Sequence, residues 1–159
     1  MKHRYSIILA PIDGSESSFA SITYAMYLAR AFGSQLIALH VVPPNLSPSY
    51  FLGKSINEYD DYPIPIRAGL DGYRKEVQGW FNRISESCEK NMVSLKIDVV
   101  SSHSVSTSIA GSIAEYAESE NVDLVVIGTR GRSNIKRMTL GSVALNVVSY
   151  THCPVLVVK

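Results

Sequence analysis

Cysteine, long apolar runs and an excess of charge of one sign are all scarce in this sequence. Its 159 residues include two cysteines, Cys88 and Cys153, which are too few for a disulfide framework and lack the spacing of a metal-binding pair. The four histidines also show no ligand spacing. We therefore predict neither a disulfide-rich scaffold nor a metal site, and we interpret the two thiols as buried side chains.

No apolar run approaches the roughly 18 residues that a membrane helix requires. The run behind the basic start of the chain, Ile7 to Ala10, is also too short for the core of a signal peptide. We therefore expect a cytoplasmic protein that does not associate with membranes. The formal net charge of +1 gives no whole-molecule attraction to nucleic acid, so we expect no nucleic-acid partner.

Several well-known patterns of nucleotide-binding and catalytic proteins are missing as well. There is no G-x-x-x-x-G-K-[ST] P-loop, no G-x-G-x-x-G after an apolar run, no C-x-x-C and no serine nucleophile elbow. Ser142 has no partner base nearby in the sequence and is a poor candidate for a nucleophile. We predict no catalytic residues.

Five short apolar runs alternate with segments of helical periodicity. The runs are residues 5–11, 35–42, 95–101, 123–127 and 155–158. They are β-branched and largely continuous, which is typical of strands buried on both faces of a parallel sheet. We predict one α/β domain over residues 1–159, with an open, five-stranded, mostly parallel sheet in the order 3-2-1-4-5 and helices on both faces.

Four segments between the runs have helical spacing. The first runs from Glu16 to a stop at Gly33, the third covers about residues 108–118, and the fourth begins at Ser142. The second carries an apolar stripe, which favours a buried over a reactive Cys88. The members of this stripe are Leu70, Tyr73, Val77, Phe81, Ile84 and Cys88.

Residues 43–65 contain five prolines and precede the second helical segment. We interpret them as a surface loop, either a lid or partner-binding loop or a loop without a role.

Turn-forming and polar residues follow two of the predicted strands. The first strand ends in Pro11-Ile12-Asp13-Gly14-Ser15 and the fourth in Gly128-Thr129-Arg130-Gly131. In the predicted strand order both ends open on one crevice, which is where open parallel sheets bind ligands. Asp13 could accept a hydrogen bond from a ribose hydroxyl or an exocyclic amine there. It could equally serve only as a turn or cap residue for the following helix.

Glycines in the second half of the chain have the chemistry of a phosphate-binding loop. Gly128 and Gly131 permit close backbone approach, and Gly141-Ser142 would open a helix whose free N–H groups favour an anion. Four basic residues crowd this segment, Arg130, Arg132, Lys136 and Arg137, and no acidic residue occurs from Gly128 to Lys159. An alternative interpretation of the basic residues is a solvated loop.

The pattern Gly128-x2-Gly131-x9-Gly141-Ser142 resembles the ATP-binding signature of the universal stress protein family, in its ATP-binding branch. The resemblance spans nearly the whole chain, because residues 7–18, 36–42, 123–131 and 153–158 are also similar to that family's strands and turns. One departure is residues 102–106, Ser-His-Ser-Val-Ser, where the family usually has a Gly-x-Pro-like turn after the third strand.

The resemblance implies that ATP, accompanied by Mg²⁺ or Mn²⁺, occupies the crevice. Asp13 and the backbone of Val41 would contact adenine, and Gly128 with its neighbours would line the ribose. Gly131 and the start of the fourth helix would hold the phosphates. The implied nucleotide-binding residues are Pro11, Ile12, Asp13, Val41, Gly128, Thr129, Arg130, Gly131, Arg132, Gly141, Ser142 and Val143.

The resemblance also implies a homodimer. Residues 155–158 would form an apolar sheet edge, which a two-fold partner using the same strand would cover. The implied function is a nucleotide-dependent regulatory or stress-response module that an unidentified protein partner recognises.

Two other functions stay open. One is a slow ATPase or phosphotransferase, in which arginines 130, 132 and 137 could stabilise charge and Asp13 could act as a base. The other is an interaction module with no nucleotide bound, which would use residues 59–62.

Overall fold

Five parallel strands pair into one sheet in the computed structural model, which describes residues 5–43, 46, 63–101, 108–129 and 140–159. Its order, β3-β2-β1-β4-β5, confirms the predicted topology, and each pair of neighbouring strands is parallel. The strands are β1 (Ile7–Pro11), β2 (Gln35–Val42), β3 (Leu95–Ser101), β4 (Leu124–Gly128) and β5 (Val155–Val158).

The central strands are apolar because both of their faces are covered. Ile8, Leu9 and Ala10 of β1 are fully buried, and all five residues of β4 are buried. The predicted boundaries hold for β2, β3 and β5. Strand β1 begins two residues later than predicted, and β4 begins one residue later and ends at Gly128.

Four helices connect these strands in the described part of the chain. They are α1 (Glu16–Phe32), α2 (Ile64–Lys90), α3 (Ile109–Ser119) and α4 (Ser142–Tyr150). Helix α1 ends at Gly33, whose left-handed φ of 67° suits a glycine C-cap. Helix α2 begins before the end of the loop predicted at residues 43–65, since Pro65 lies in its first turn. Proline is tolerated there because first-turn N–H groups have no partner within the helix.

Two apolar cores lie on opposite faces of the sheet. The first packs α1 and α2 against residues such as Ile8 and Leu36, and the second packs α3 and α4 against residues such as Leu9 and Ile37. The predicted stripe of α2 is buried at every position except the half-buried Tyr73. Cys88 is a core residue, as predicted, and burial raises the pKa of its thiol.

Some predictions concern parts of the chain that the structure does not describe. The segment at residues 59–62 and the departure at residues 102–106 both lie outside the described residues. Within the described residues, none of the helices is long and apolar enough to cross a membrane.

Candidate functional site

The carboxyl ends of β1 and β4 lie side by side, where the strand order reverses direction. The two strands pair directly, with Ile8 opposite Leu124 and Leu9 opposite Val125. Strand β2 borders β1 on its other side, and its residue Val41 is buried. A crevice at this position is the usual ligand site of an open parallel sheet.

The turn after β1 is held by the side chain of Asp13. The Oδ1 atom of Asp13 accepts hydrogen bonds from the amide and the hydroxyl of Ser15, at 3.0 and 2.6 Å. Ser15 in turn is the N-cap of α1, because its hydroxyl oxygen accepts from the amide of Ser18 at 3.2 Å. Asp13 therefore has the turn role that its residue type suggested, while it also stands at the crevice.

Gly14 completes this turn and lies directly against Trp80 of α2. Its φ of 81° is in the left-handed region that favours glycine. A Cβ atom at this position would also fall less than 3.0 Å from three carbon atoms of the Trp80 ring. No other residue type fits this position without displacing Trp80.

Gly128, at the end of β4, lies against the first turn of α1. A Cβ atom on Gly128 would be less than 3.0 Å from the Oγ, carbonyl oxygen and carbonyl carbon of Ser17. The sequence suggested that Gly128 permits close approach of a ligand, whereas the group that approaches it in the structure is Ser17. This contact fixes the end of β4 against the helix that follows the Asp13 turn.

Thr129 joins the end of β4 to the start of α4. Its amide donates to the carbonyl of Val158 in β5 at 2.9 Å, and its carbonyl accepts from the amide of Gly141 at 2.6 Å. The chain therefore leaves β4 and enters α4 at neighbouring points. Because the Gly141 amide is engaged by Thr129, the candidate donors to a ligand are the amides that come after it.

The start of α4 differs from the starts of α1 and α3 in lacking a side-chain cap. Ser15 caps α1, and Ser108 caps α3 by accepting from the amide of Gly111 at 3.1 Å. The N-cap of α4 is Gly141, which has no side chain, and among the described residues no side-chain cap is found at this end. The amides of Ser142 and Val143 belong to the first turn, which has no carbonyl partner within the helix. Free amides at the positive end of a helix dipole are suitable donors to an anion.

Most of the predicted binding residues meet at this edge of the sheet. Those in the described part of the chain are Pro11, Ile12, Asp13, Val41, Gly128, Thr129, Gly141, Ser142 and Val143. Arg130, Gly131 and Arg132 lie outside the described residues.

The sequence analysis missed two residues that support the crevice, His40 and Trp80. His40 is 3% exposed on β2, and Trp80 is 6% exposed on α2. A signal existed for Trp80, because it lies three residues after Val77 and four before Ile84, on the buried face of α2. His40 is the only polar residue in the run from Leu36 to Val42, which marks it for a specific hydrogen-bonding role.

Two groups with clear pKa shifts, Tyr116 and Lys96, lie on the α3 face, away from the carboxyl ends of β1 and β4. Burial raises the pKa of Tyr116 to about 12, and its hydrogen bond to Oδ2 of Asp98, at 2.8 Å, acts in the same direction. Lys96 donates to Glu120 at 2.7 Å, which raises the pKa of the lysine. These groups brace β3 against α3, and we assign them no part in binding.

A shallow groove lies at the other end of α4. Its lining residues are Gly111, Ala114, Glu115, Glu118, Tyr150 and His152. Two glutamates and the negative end of the α4 dipole make this groove unfavourable for a phosphate. The start of α4, where the helix dipole is positive and no acidic residue is near in the sequence, is more favourable for an anion.

The parallel sheet in the order β3-β2-β1-β4-β5, with helices on both faces, defines a doubly wound α/β domain. The profile of the universal stress protein family matches residues 4–159. The chain belongs to the universal stress protein family, as its glycine pattern predicted.

Two curated relatives from Methanocaldococcus jannaschii carry the same family name. Universal stress protein MJ0531 is 30% identical over 159 residues, covering 98% of this chain and 82% of the relative. Universal stress protein MJ0577 is 27% identical over 169 residues, covering 100% of this chain and 98% of the relative.

Solved structures share the fold. The structure of the hypothetical protein MJ0577 has a TM-score of 0.72 at 26% identity and covers 98% of this chain and 96% of its own. A universal stress protein in complex with cAMP has a TM-score of 0.69 at 21% identity, with 98% of both chains covered. A universal stress protein from Archaeoglobus fulgidus in complex with dAMP has a TM-score of 0.62 at 19% identity, again with 98% of both chains covered.

Proposed function

We propose that this protein binds ATP in the crevice between the ends of β1 and β4. The observation that carries the proposal is the uncapped start of α4, which Thr129 holds beside the end of β4. Unpaired amides at the positive end of a helix dipole suit phosphate oxygens. The absence of acidic residues from Gly128 to the end of the chain leaves this positive end without a nearby acid in sequence.

The two ends of the nucleotide would use different groups. The amides of Ser142 and Val143, with Gly131, would hold the phosphates. Gly128 and Thr129 would line the ribose, while Asp13 and the backbone of Val41 would contact adenine. In this proposal Gly141 acts through its position, since its amide donates to Thr129.

The choice of an adenine nucleotide has support from relatives of the same fold. One neighbour is a complex with cAMP and another is a complex with dAMP, so the two ligands share an adenine ring and a phosphate. The preference for a triphosphate rests on the resemblance of the glycine pattern to the ATP-binding branch of the family. Titration of ATP, ADP, AMP and cAMP side by side tests that preference.

A divalent cation would be bound mainly through the phosphates. Within the described residues, no group of three or more His, Cys, Asp or Glu side chains is arranged to hold a metal ion. Mg²⁺ commonly keeps most of its waters and binds through substrate phosphates, which suits a site built from backbone amides. We therefore propose that Mg²⁺ or Mn²⁺ enters with ATP.

The output of binding would be regulatory rather than catalytic. Occupancy of the crevice would set the state of its loops, and a protein partner would recognise that state. Slow hydrolysis is the second candidate, because Asp13 stands at the crevice as a possible base. Turnover that survives purification and disappears in Asp13→Ala would favour the enzyme, whereas turnover unaffected by any crevice variant would indicate a contaminant.

Two further parts of the proposal concern assembly and location. Strand β5 ends the strand order, and Leu156 on it is 39% exposed, which supports an antiparallel homodimer across this edge. A cytoplasmic location stays a prediction, which fractionation of the source cells would test.

Mass spectrometry of the freshly purified, denatured protein is the first test of binding. Release of an adenine nucleotide, followed by ATP binding to the stripped protein with Mg²⁺ present, is the expected result. Absence of bound nucleotide together with absence of affinity would contradict the proposal.

A further inference from the structure

His40 connects the turn after β1 to helix α2 through both nitrogens of its buried ring. Its Nδ1 lies 2.8 Å from the carbonyl oxygen of Ile12, and its Nε2 lies 2.7 Å from the hydroxyl of Tyr73. A carbonyl oxygen only accepts hydrogen bonds, so Nδ1 carries a proton and donates it. In the neutral ring Nε2 therefore accepts from the Tyr73 hydroxyl.

Trp80 supports the same turn from the same helix. Tyr73 and Trp80 are seven residues apart, which places them on one face of α2. Their rings pack edge to face at 6.5 Å, and the ring of His40 lies 5.4 Å from that of Trp80. Since Trp80 also abuts Gly14, helix α2 touches one side of the turn directly and reaches the other side through His40.

Asp13 lies between these two supported residues, Ile12 and Gly14. Its carboxylate is the side chain that the proposed function assigns to the base end of the nucleotide. We infer that His40 is a positioning residue, which couples the placement of α2 to the orientation of Asp13 and thereby sets affinity for the adenosine part of the ligand. This inference rests on the proposed function and adds α2 as the element that tunes the site.

The substitution Tyr73→Phe isolates the coupling. It keeps the aromatic packing on Trp80 and removes only the hydroxyl that donates to His40. We expect affinity for ATP and for adenosine to fall by the same factor, roughly two- to tenfold, as the loss of one hydrogen bond would produce. Equal losses for both ligands locate the effect at the base end, because adenosine has no phosphate.

A second variant, His40→Asn, breaks the same hydrogen bond from its other partner and so excludes an effect specific to Tyr73→Phe. In His40→Asn, the side-chain NH₂ can replace Nδ1–H as donor to Ile12, but the shorter side chain does not reach Tyr73. His40→Asn should show the same loss of affinity for ATP and adenosine as Tyr73→Phe. The variant that carries both substitutions should lose no more affinity than either single variant. Tyr27→Phe, the same chemical change at a side chain 57% exposed on α1, serves as the control and should bind like the wild type.

A readout without nucleotide tests the positioning directly. Trp80 is the single tryptophan, so its fluorescence reports on the contact with Gly14. Tyr73→Phe should shift this emission and the backbone amide signals of Asp13 and Gly14, while Tyr27→Phe should shift neither. Unchanged signals together with wild-type affinities for both ligands would overturn the inference and leave the proposed function standing. A wild-type protein that binds neither ligand would overturn both.

Discussion

The carbonyl oxygen of Thr129 accepts a hydrogen bond from the amide of Gly141, with the two atoms 2.6 Å apart. This bond sets the start of α4 beside the end of β4, at the same edge of the sheet as the turn that contains Asp13. The relationship brings Gly141 next to Thr129, the residue after Gly128, although 12 positions separate the two in the sequence.

Placing a carboxylate at the start of α4 should weaken phosphate binding without weakening the helix. Ser142→Asp puts a negative charge in the first turn, where the helix dipole favours it by about 0.3–1 kcal/mol. The same charge repels the phosphates of a nucleotide. We expect affinity for ATP to fall at least tenfold, about 1.4 kcal/mol, with affinity for adenosine unchanged, as measured by calorimetric titration.

Ser94→Asp is the matched control for this experiment. Ser94 is exposed and precedes β3 at the amino edge of the sheet, so it receives the same charge at the opposite edge. It should leave ATP binding unchanged. Equal ATP affinities for Ser142→Asp and the wild type would contradict the assignment of phosphates to α4.

Two glycines with left-handed φ values should respond differently to substitution by alanine. Gly14→Ala and Gly33→Ala both pay roughly 1–2 kcal/mol for the left-handed conformation. A Cβ at Gly33 meets nothing within 4 Å, whereas one at Gly14 overlaps Trp80. Gly14→Ala should therefore lose roughly 1–3 kcal/mol more stability in urea unfolding and should alter Trp80 fluorescence. Equal losses of unfolding free energy for the two variants would show that the contact with Trp80 does not contribute to the cost of Gly14→Ala.

Proline substitution on the two edge strands distinguishes the proposed dimer edge from the other edge. The carbonyl of Pro154, directly before β5, accepts from Val125, and the carbonyl of Val158 accepts from Thr129, directly after β4. By the alternation along a strand, the N–H of Val157 points away from the sheet. Val157→Pro removes an outward donor without breaking the pairing with β4. Light scattering should show a dimer for the wild type and a monomer for this variant.

Ile97→Pro makes the equivalent change on the opposite edge. The carbonyl of Ser94 accepts from Leu36, which places the N–H of Ile97 on the outer side of β3 by the same alternation. This variant should remain dimeric. If the dimer survives Val157→Pro and dissociates in Ile97→Pro, the interface lies at β3 and our proposal of a β5 interface is wrong.

Tyr116 should make stability depend on pH in the alkaline range. Its pKa rises from 10.0 to about 12 in the folded protein, first because burial disfavours the phenolate and then because the hydroxyl donates to Asp98. Between those values the unfolded chain has lost a proton that the native protein keeps, so stability falls as pH rises. In urea unfolding, the free energy of unfolding of Tyr116→Phe should fall less steeply with pH than that of the wild type across this window. Below the window, the two pH dependences should be parallel. Identical slopes within the window would contradict the assignment.

Strand positions and helix boundaries were predictable because their signals are local. Continuous β-branched runs marked the strands. Gly33 and Ser142 marked the end of α1 and the start of α4 to within one residue of the observed boundaries. The glycine pattern likewise identified the family, because its spacing survives in the sequence without any knowledge of packing.

Contacts between distant segments could not be predicted in the same way. The approach of Ser17 to Gly128 depends on how α1 docks on β4, and the sequence offers only a glycine that invites a ligand interpretation. The link from Ile12 through His40 to Tyr73 joins three elements over 61 positions, and no periodicity encodes it. The hydrogen bond that engages the Gly141 amide is also a tertiary feature, and it shifts the proposed phosphate donors to Ser142 and Val143.

Amide NMR during an ATP titration tests the central claim most directly. With Mg²⁺ present, we expect saturable shifts of the Ser142 and Val143 amides, accompanied by shifts at Asp13, and we expect adenosine to move Asp13 while leaving Ser142 in place. Shifts confined to the groove of Glu115, Glu118 and Tyr150, or no shifts at all, would contradict the assignment of the crevice as an ATP site.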